Sequence, residues 1–192
     1  MEHIINFDRS LFRLINYNGH NDLFDWLMPF MRNSIFWYPV YLFMFLLIVF
    51  NCKKNAPWLI LFSIITVILT DQVSSTLIKH NFHRLRPCAD ELLTLWRRSL
   101  VGCPGNSSFT SSHASNHFGI AVFFFITLKK TFGNWMYLFF PWALLICYAQ
   151  VYVGVHYPLD VICGAIVGCL LGFFTAYAYR TTIYKVSANY HG

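Results

Sequence analysis

The chain has 192 residues, of which 57% are hydrophobic and only 11% charged, against roughly a quarter charged in an average soluble domain. Mean hydropathy is +0.49; a soluble fold of this length cannot hide that much apolar surface, and a disordered chain does not carry it. The formal net charge of +6 lies in short segments between or after apolar runs. It forms no continuous basic face, which argues against a nucleic-acid partner and for a multi-span membrane protein.

In chain order, residues 1–33 come first. Stretches 7–15 and 23–31 are apolar but too short and too charged to cross a bilayer. They are expected as helices lying in the interface, with Trp26 and Arg32 at headgroup level. The first ten residues show no basic region leading into an apolar one, so no cleavable signal peptide is expected. Five apolar stretches then follow, at 35–50, 57–78, 110–128, 134–153 and 159–179. Each is about as long as a bilayer crossing, although the first is short for a core of ~30 Å and contains Pro39. The expected fold is an all-α integral membrane protein, a bundle of about five transmembrane helices preceded by interfacial N-terminal helices, as one domain over 1–192. Asp71, inside the second stretch, reads as a structural partner for a neighbouring span.

Five crossings put residues 51–56, 129–133 and the C-terminal tail on one side. That side carries Lys53, Lys54, Lys129, Lys130, Arg180 and Lys185 and reads as cytoplasmic. The other side receives the long 80–108 segment and the turn at 156–158. It is also basic, so charge counting alone does not decide. Cys88 and Cys103 both fall in the long segment; they are a disulfide candidate if it faces an oxidising compartment and two free thiols if it does not. Residues 89–100, with Leu92, Leu93 and Leu95 before Trp96, Arg97 and Arg98, read as an interfacial helix.

Three polar clusters fall on that same face. Lys79 is followed by Arg84, Arg86 and Pro87; Thr110, Ser111, Ser112 and His113 open the third span; His156 and Asp160 join the fourth span to the fifth. Singly, the cations could snorkel, Ser111 could cap a helix, and His156 and Asp160 could be a structural pair one turn apart. Together they suit a phosphoryl group. Lys79 and Arg86 supply charge for an oxyanion, a helix opening at Ser111 presents free amides, and two histidines offer a nucleophile and a proton donor steadied by Asp160. No carboxylate cluster is available to hold magnesium, so neither metal nor cofactor is expected; His113 and His117, four apart, lack a third ligand.

In these residues the chain resembles the type 2 phosphatidic acid phosphatase superfamily, which carries K-x6-R-P, P-S-G-H and S-R-x5-H-x3-D. Lys79 and Arg86-Pro87 match the first motif. Ser111 and His113 match the second, with Thr110 for proline and Ser112 for glycine. His156 and Asp160 match the third, but Ala149-Gln150 stands where Ser-Arg is usual. The resemblance implies that His156 takes the phosphoryl group, Asp160 orients it, and His113 protonates the leaving group. It also implies that Lys79, Arg86, Ser111, Ser112 and Gln150 hold the phosphate. Arg84, Arg97 or Arg98 are candidates to compensate for the missing arginine. It further implies a multi-pass protein of the bacterial cytoplasmic membrane with its site facing outward. The expected activity is metal-independent dephosphorylation of a membrane lipid phosphate, undecaprenyl diphosphate first. Phosphatidylglycerol phosphate, phosphatidic acid and lipid A are rivals. The alternatives are a catalytically silent lipid-phosphate binder, motivated by Gln150, and a phosphotransferase.

Overall fold

A computed structural model describes residues 2–189, and over them the chain is helical without strands. α1 (Glu2–Arg13) and α2 (Asp22–Met31) precede the bundle. Asn21 caps α2 by accepting from the Phe24 amide. α3 (Tyr38–Cys52) and α4 (Ala56–Asp71) form a hairpin, each opened by a proline in its first turn where no amide is lost. The wider turns of Gln72–Ile78 extend α4 into the single turn α5 (Lys79–Asn81). α6 (Ser112–Phe132) ends at Gly133, whose φ of +62° suits glycine, and doubles back through a tight turn into α7 (Phe139–Tyr152). α8 (Pro158–Asn189) completes the bundle.

Three helical runs are long and apolar enough to cross a membrane: Ser34–Asn81, Ser112–Tyr152 and Pro158–Ser187. The first two reverse, at Lys53 and at Gly133, so together the three make five crossings. The exposed apolar side chains run along their outer faces, among them Phe43, Ile64, Leu144, Ile166 and Phe173. The protein is an all-α integral membrane protein.

α6 and α8 form the spine, and small residues set their spacing. Gly164, Gly168 and Gly172 recur every fourth residue on α8. A Cβ at each would stand 2.4 Å from the Ser111 carbonyl oxygen, 2.2 Å from that of Ser115 and 2.3 Å from that of Gly119. Only glycine permits backbones this close, the arrangement that helices in lipid use to gain packing where water supplies no hydrophobic drive. The same contact brings the start of α6 against the start of α8. There the Ser111 amide donates to the Asp160 carbonyl at 3.0 Å.

The N-terminal helices do more than lie on a membrane surface. Asp8, Phe12 and Asn16 share one helical face at four-residue intervals, and all three are buried. Asn16 donates to the carbonyls of Arg98 and Tyr152 and accepts from the Arg98 amide, tying α1 to the long loop and to the end of α7. The opposite face, with Phe7 and Leu14, is exposed. Residues 89–100 do not form the interfacial helix expected of them. Single turns at Pro87–Ala89 and Glu91–Leu93 take its place. Asp90 caps the Leu92 amide, Arg97 reaches back to the Pro87 carbonyl, and a disulfide fixes Cys88 to Cys103; each diverts backbone or chain direction from a continuous helix.

Candidate active site

The site forms where the end of α7, the starts of α6 and α8 and the long loop meet. His156 lies in the short link between α7 and α8, 3% exposed. Its position comes from the end of α7, because the amides of Val155 and His156 both donate to the Gln150 carbonyl. Gly154, at φ +90°, makes that turn; a Cβ there would stand 2.4 Å from the Arg98 carbonyl oxygen.

Arg86 meets His156 at its outer nitrogen, with Nη1 3.1 Å from Nε2. The guanidinium is held from several sides, donating to the carbonyls of Val155 and Asn106 and to Asn106 Oδ1. A guanidinium donates only, so Nε2 is the accepting nitrogen and carries the lone pair. The proton then belongs on Nδ1, which faces Asp160 Oδ2 at 3.7 Å with no closer partner. Burial among apolar groups pushes the His156 imidazole down to about 4, which keeps it neutral.

Asp160 is fully buried and accepts three hydrogen bonds. Arg84 Nη1 donates to Oδ1 at 2.6 Å, while the Ser108 hydroxyl and the Tyr157 amide donate to Oδ2 at 2.5 and 2.9 Å. Arg84 also donates to Asp8 of α1 at 2.5 Å and stacks 4.2 Å over the Tyr157 ring. Asp8 in turn accepts from the Leu159 amide at the start of α8. The three arginines that could have replaced the motif's missing guanidinium are thus committed elsewhere: Arg84 to Asp8 and Asp160, Arg97 to the Pro87 carbonyl, Arg98 to Asp25.

Lys79 takes part in none of the ion pairs among the described residues. It lies within electrostatic reach of Arg86, Asp71 and Asp160. Ser111 caps α6, its hydroxyl accepting from the Ala114 amide at 3.4 Å. Ser112 exchanges hydrogen bonds with Ser74 and Ser75 of the widened turn after α4. Gln150 is 0% exposed, and both atoms of its amide lack partners. His113 stands one turn from His117, the rings parallel at 6.3 Å. The two nitrogens of His117 meet the His113 carbonyl and the Tyr41 hydroxyl.

His113 and Ser112 also line a cavity of about 740 Å³ between α3, α4, α6 and α7. Asp71, Asn116 and His117 belong to the same wall, and the rest is apolar, including Ile48, Ile64 and Phe124. Asp71 accepts from Ser75 and Asn116. A greasy chamber with a histidine in its wall, near the Arg86–His156 pair, suits a ligand with an apolar tail and an anionic head.

Several positioning residues escaped the sequence reading: Asp8, Asn16, Asp90, Asn106 and Ser108. Asp90 accepts from Arg9 and from the Tyr157 hydroxyl, bracing the residue that follows His156. Only Asp8 and Asn16 had a legible signal, as polar residues in register with Phe12 on one helical face.

The family model described as the PAP2 superfamily matches residues 56–184. A lipid A 4'-phosphatase of Bacteroides thetaiotaomicron is 29% identical over 182 residues, 88% of this chain and 75% of that protein. An undecaprenyl-diphosphatase of Sulfolobus acidocaldarius is 33% identical over 178 residues, 91% of this chain and 79% of that protein. The crystal structure of Aquifex aeolicus LpxE superposes with a TM-score of 0.63 at 27% identity, covering 86% of this chain and 92% of that one. With its body matched over most of its length and the three polar clusters drawn together at one end of the bundle, the chain belongs to the PAP2 superfamily, a family of lipid phosphatases.

Proposed function

We infer that this protein removes a phosphoryl group from the head of a membrane lipid through a phosphohistidine, with no metal. The observation that carries this is the pairing of His156 Nε2 with Arg86 on one side and Asp160 beyond Nδ1 on the other. That arrangement presents a lone pair and a cation to the same phosphorus. Nε2 attacks phosphorus while the oxygen that bridges it to the lipid part (ester in a monophosphate, anhydride in a diphosphate) leaves, and His113 gives that oxygen its proton. Water then attacks the phosphohistidine, His113 takes a proton from it, and the P–N bond breaks to release inorganic phosphate. Lys79, Arg86, Gln150 and the Ser111–Ser112 start of α6 hold the equatorial oxygens. His113 borders the apolar cavity, so the departing group is the one with the tail.

Two headgroups have specific support. Undecaprenyl diphosphate, the first substrate expected from the sequence, has it in the Sulfolobus relative's activity; a lipid A phosphate has it in the Bacteroides relative's. The site faces outward across a bacterial inner membrane in this reading. The Cys88–Cys103 disulfide beside Arg86 and the cations at Lys53, Lys54, Lys129 and Lys130 on the hairpin turns support that orientation. The test is phosphate release in detergent, with a chelator present, from undecaprenyl diphosphate, lipid A, phosphatidylglycerol phosphate and phosphatidic acid. Turnover of one of them that disappears in His156→Ala is expected. No turnover of any, or turnover indifferent to that change, refutes the reading.

A further inference from the structure

Arg32 lies in the connection between α2 and the bundle, outside all three motifs. No ion pair among the described residues involves it, and its Nε is buried without a hydrogen-bond partner. Its neighbours bracket the site. Met31 belongs to the same packed cluster as Cys88, Ala149 and Val155, the residues beside Arg86, Gln150 and His156. Ser34 lies on the wall of the cavity that His113 also lines. Trp37 ties the connection down by donating from its indole to the Met31 carbonyl at 2.8 Å. Arg32 stands close enough to Arg86 and to His113 for its charge to act on both.

A guanidinium within electrostatic reach of another arginine, half-buried and without a carboxylate partner, is unfavourable on its own. Its burial costs solvation and its neighbours repel it. Such an arrangement persists where an anion offsets it, and a guanidinium fork matches two phosphate oxygens. We propose that Arg32 is a phosphate-binding residue of this site, reaching in from the N-terminal segment to share the phosphoryl oxygens with Arg86 and Lys79. It thereby supplies the cation that residue 150, a glutamine, does not. The proposal deepens the phosphatase reading and rests on the same anion pocket.

The experiment compares the parent protein with Arg32→Gln and Arg32→Lys in two measurements. The first is inhibition of lipid phosphate hydrolysis by inorganic phosphate. The second is direct binding of inorganic phosphate by calorimetry, which needs no turnover. Loss of a charge-assisted hydrogen bond to phosphate weakens binding by about 10- to 100-fold. Arg32→Gln is therefore expected to raise both the inhibition constant and the dissociation constant for phosphate by that factor, with the melting temperature held. Arg32→Lys keeps the charge without the fork and is expected to recover part of the loss. Affinity unchanged within twofold in Arg32→Gln overturns the proposal, as does a parent protein that binds no phosphate. A loss of affinity in Arg32→Gln that Arg32→Lys does not relieve at all, accompanied by a fall in melting temperature, marks a structural role and also overturns it. Should the parent bind phosphate through Arg32 yet hydrolyse no lipid, the phosphatase reading fails and this one stands.

Discussion

The glycine stripe on α8 sets the geometry of the site, and substituting it one residue at a time tests that. At Gly168 a methyl group would stand 2.2 Å from the Ser115 carbonyl oxygen and 2.9 Å from its carbon. Ordinary contact begins near 3.4 Å, so α6 and α8 must part by about 1 Å. Backbone lies on both sides, and no rotamer can yield. Overpacking of this kind costs about 1–3 kcal/mol, and the three alanine variants are expected to lose similar amounts of thermal stability in detergent. Their effects on turnover differ, because the displaced atoms differ. At Gly164 the methyl meets the Ser111 carbonyl, one residue before α6 begins; at Gly172 it meets Gly119, about two turns further along. A misplacement of about 1 Å at reacting groups costs on the order of 10²-fold in rate. Gly164→Ala should therefore approach that loss in kcat/KM, Gly168→Ala fall between, and Gly172→Ala lose least. If Gly172→Ala proves the most damaging to turnover, or Gly164→Ala leaves melting temperature and turnover untouched, the spine does not position the site.

Arg84→Gln leaves two fully buried carboxylates, Asp8 and Asp160, without their shared cation. A loss of about 3 kcal/mol and a large fall in kcat are expected, with part of the stability recovered when Asp8→Asn is added; an unchanged melting temperature in the single variant contradicts this. Gln150→Leu removes an amide that is buried without partners. If that amide donates to phosphate, kcat/KM drops by about 10- to 100-fold while stability holds or rises, and full activity in the variant excludes the role. The lowered His156 imidazole has a signed consequence for pH. The folded state holds this proton more weakly than the unfolded chain does. Its contribution is therefore complete above about 6.5 and is lost as pH falls through about 4. The acid limb of kcat/KM is expected near 4; an acid limb near 6.5 in the parent protein counts against the neutral, buried nucleophile.

What the sequence revealed of this molecule is what short spacing encodes. Lys79 with Arg86, Ser111 with His113 and His156 with Asp160 are each at most seven residues apart, and residue types at fixed short offsets can be read without the fold. The crossings were equally plain, since each must be apolar throughout its length. The hidden parts depend on partners far apart in the chain. Arg84 offered one free-looking guanidinium in the sequence, and nothing local assigns its two terminal nitrogens to Asp160 and Asp8, both 76 residues away. α1 has the composition of an interfacial helix because its outer face is apolar. The polar face at Asp8 and Asn16 gains meaning only once the Arg98 and Tyr152 carbonyls stand opposite it. The stripe of Gly164, Gly168 and Gly172 was visible, but small residues every fourth position mark a contact without naming its partner.

The division of charge around His156 follows one electrostatic requirement. In the proposed mechanism Asp160 lies near Nδ1 to favour the proton there, and to stabilise the positive ring that forms when Nε2 bonds to phosphorus. Yet an unscreened carboxylate at that depth also repels the incoming phosphate, in a medium where charges act strongly. Arg84 resolves the conflict: it draws on Asp160 and Asp8 together, while Ser108 and the Tyr157 amide donate to the Asp160 oxygen nearer the ring. The carboxylate keeps its direction toward the ring while much of its outward field is cancelled. On the other side Arg86 meets Nε2, and no carboxylate is bonded to Arg86, Lys79 or Arg32 among the described residues. Moving Arg84 forward to act as the missing motif arginine would add one cation to the front and expose two anions behind it. The chain instead leaves Arg84 in place, and on our proposal the front cation comes from Arg32, in the connection after α2.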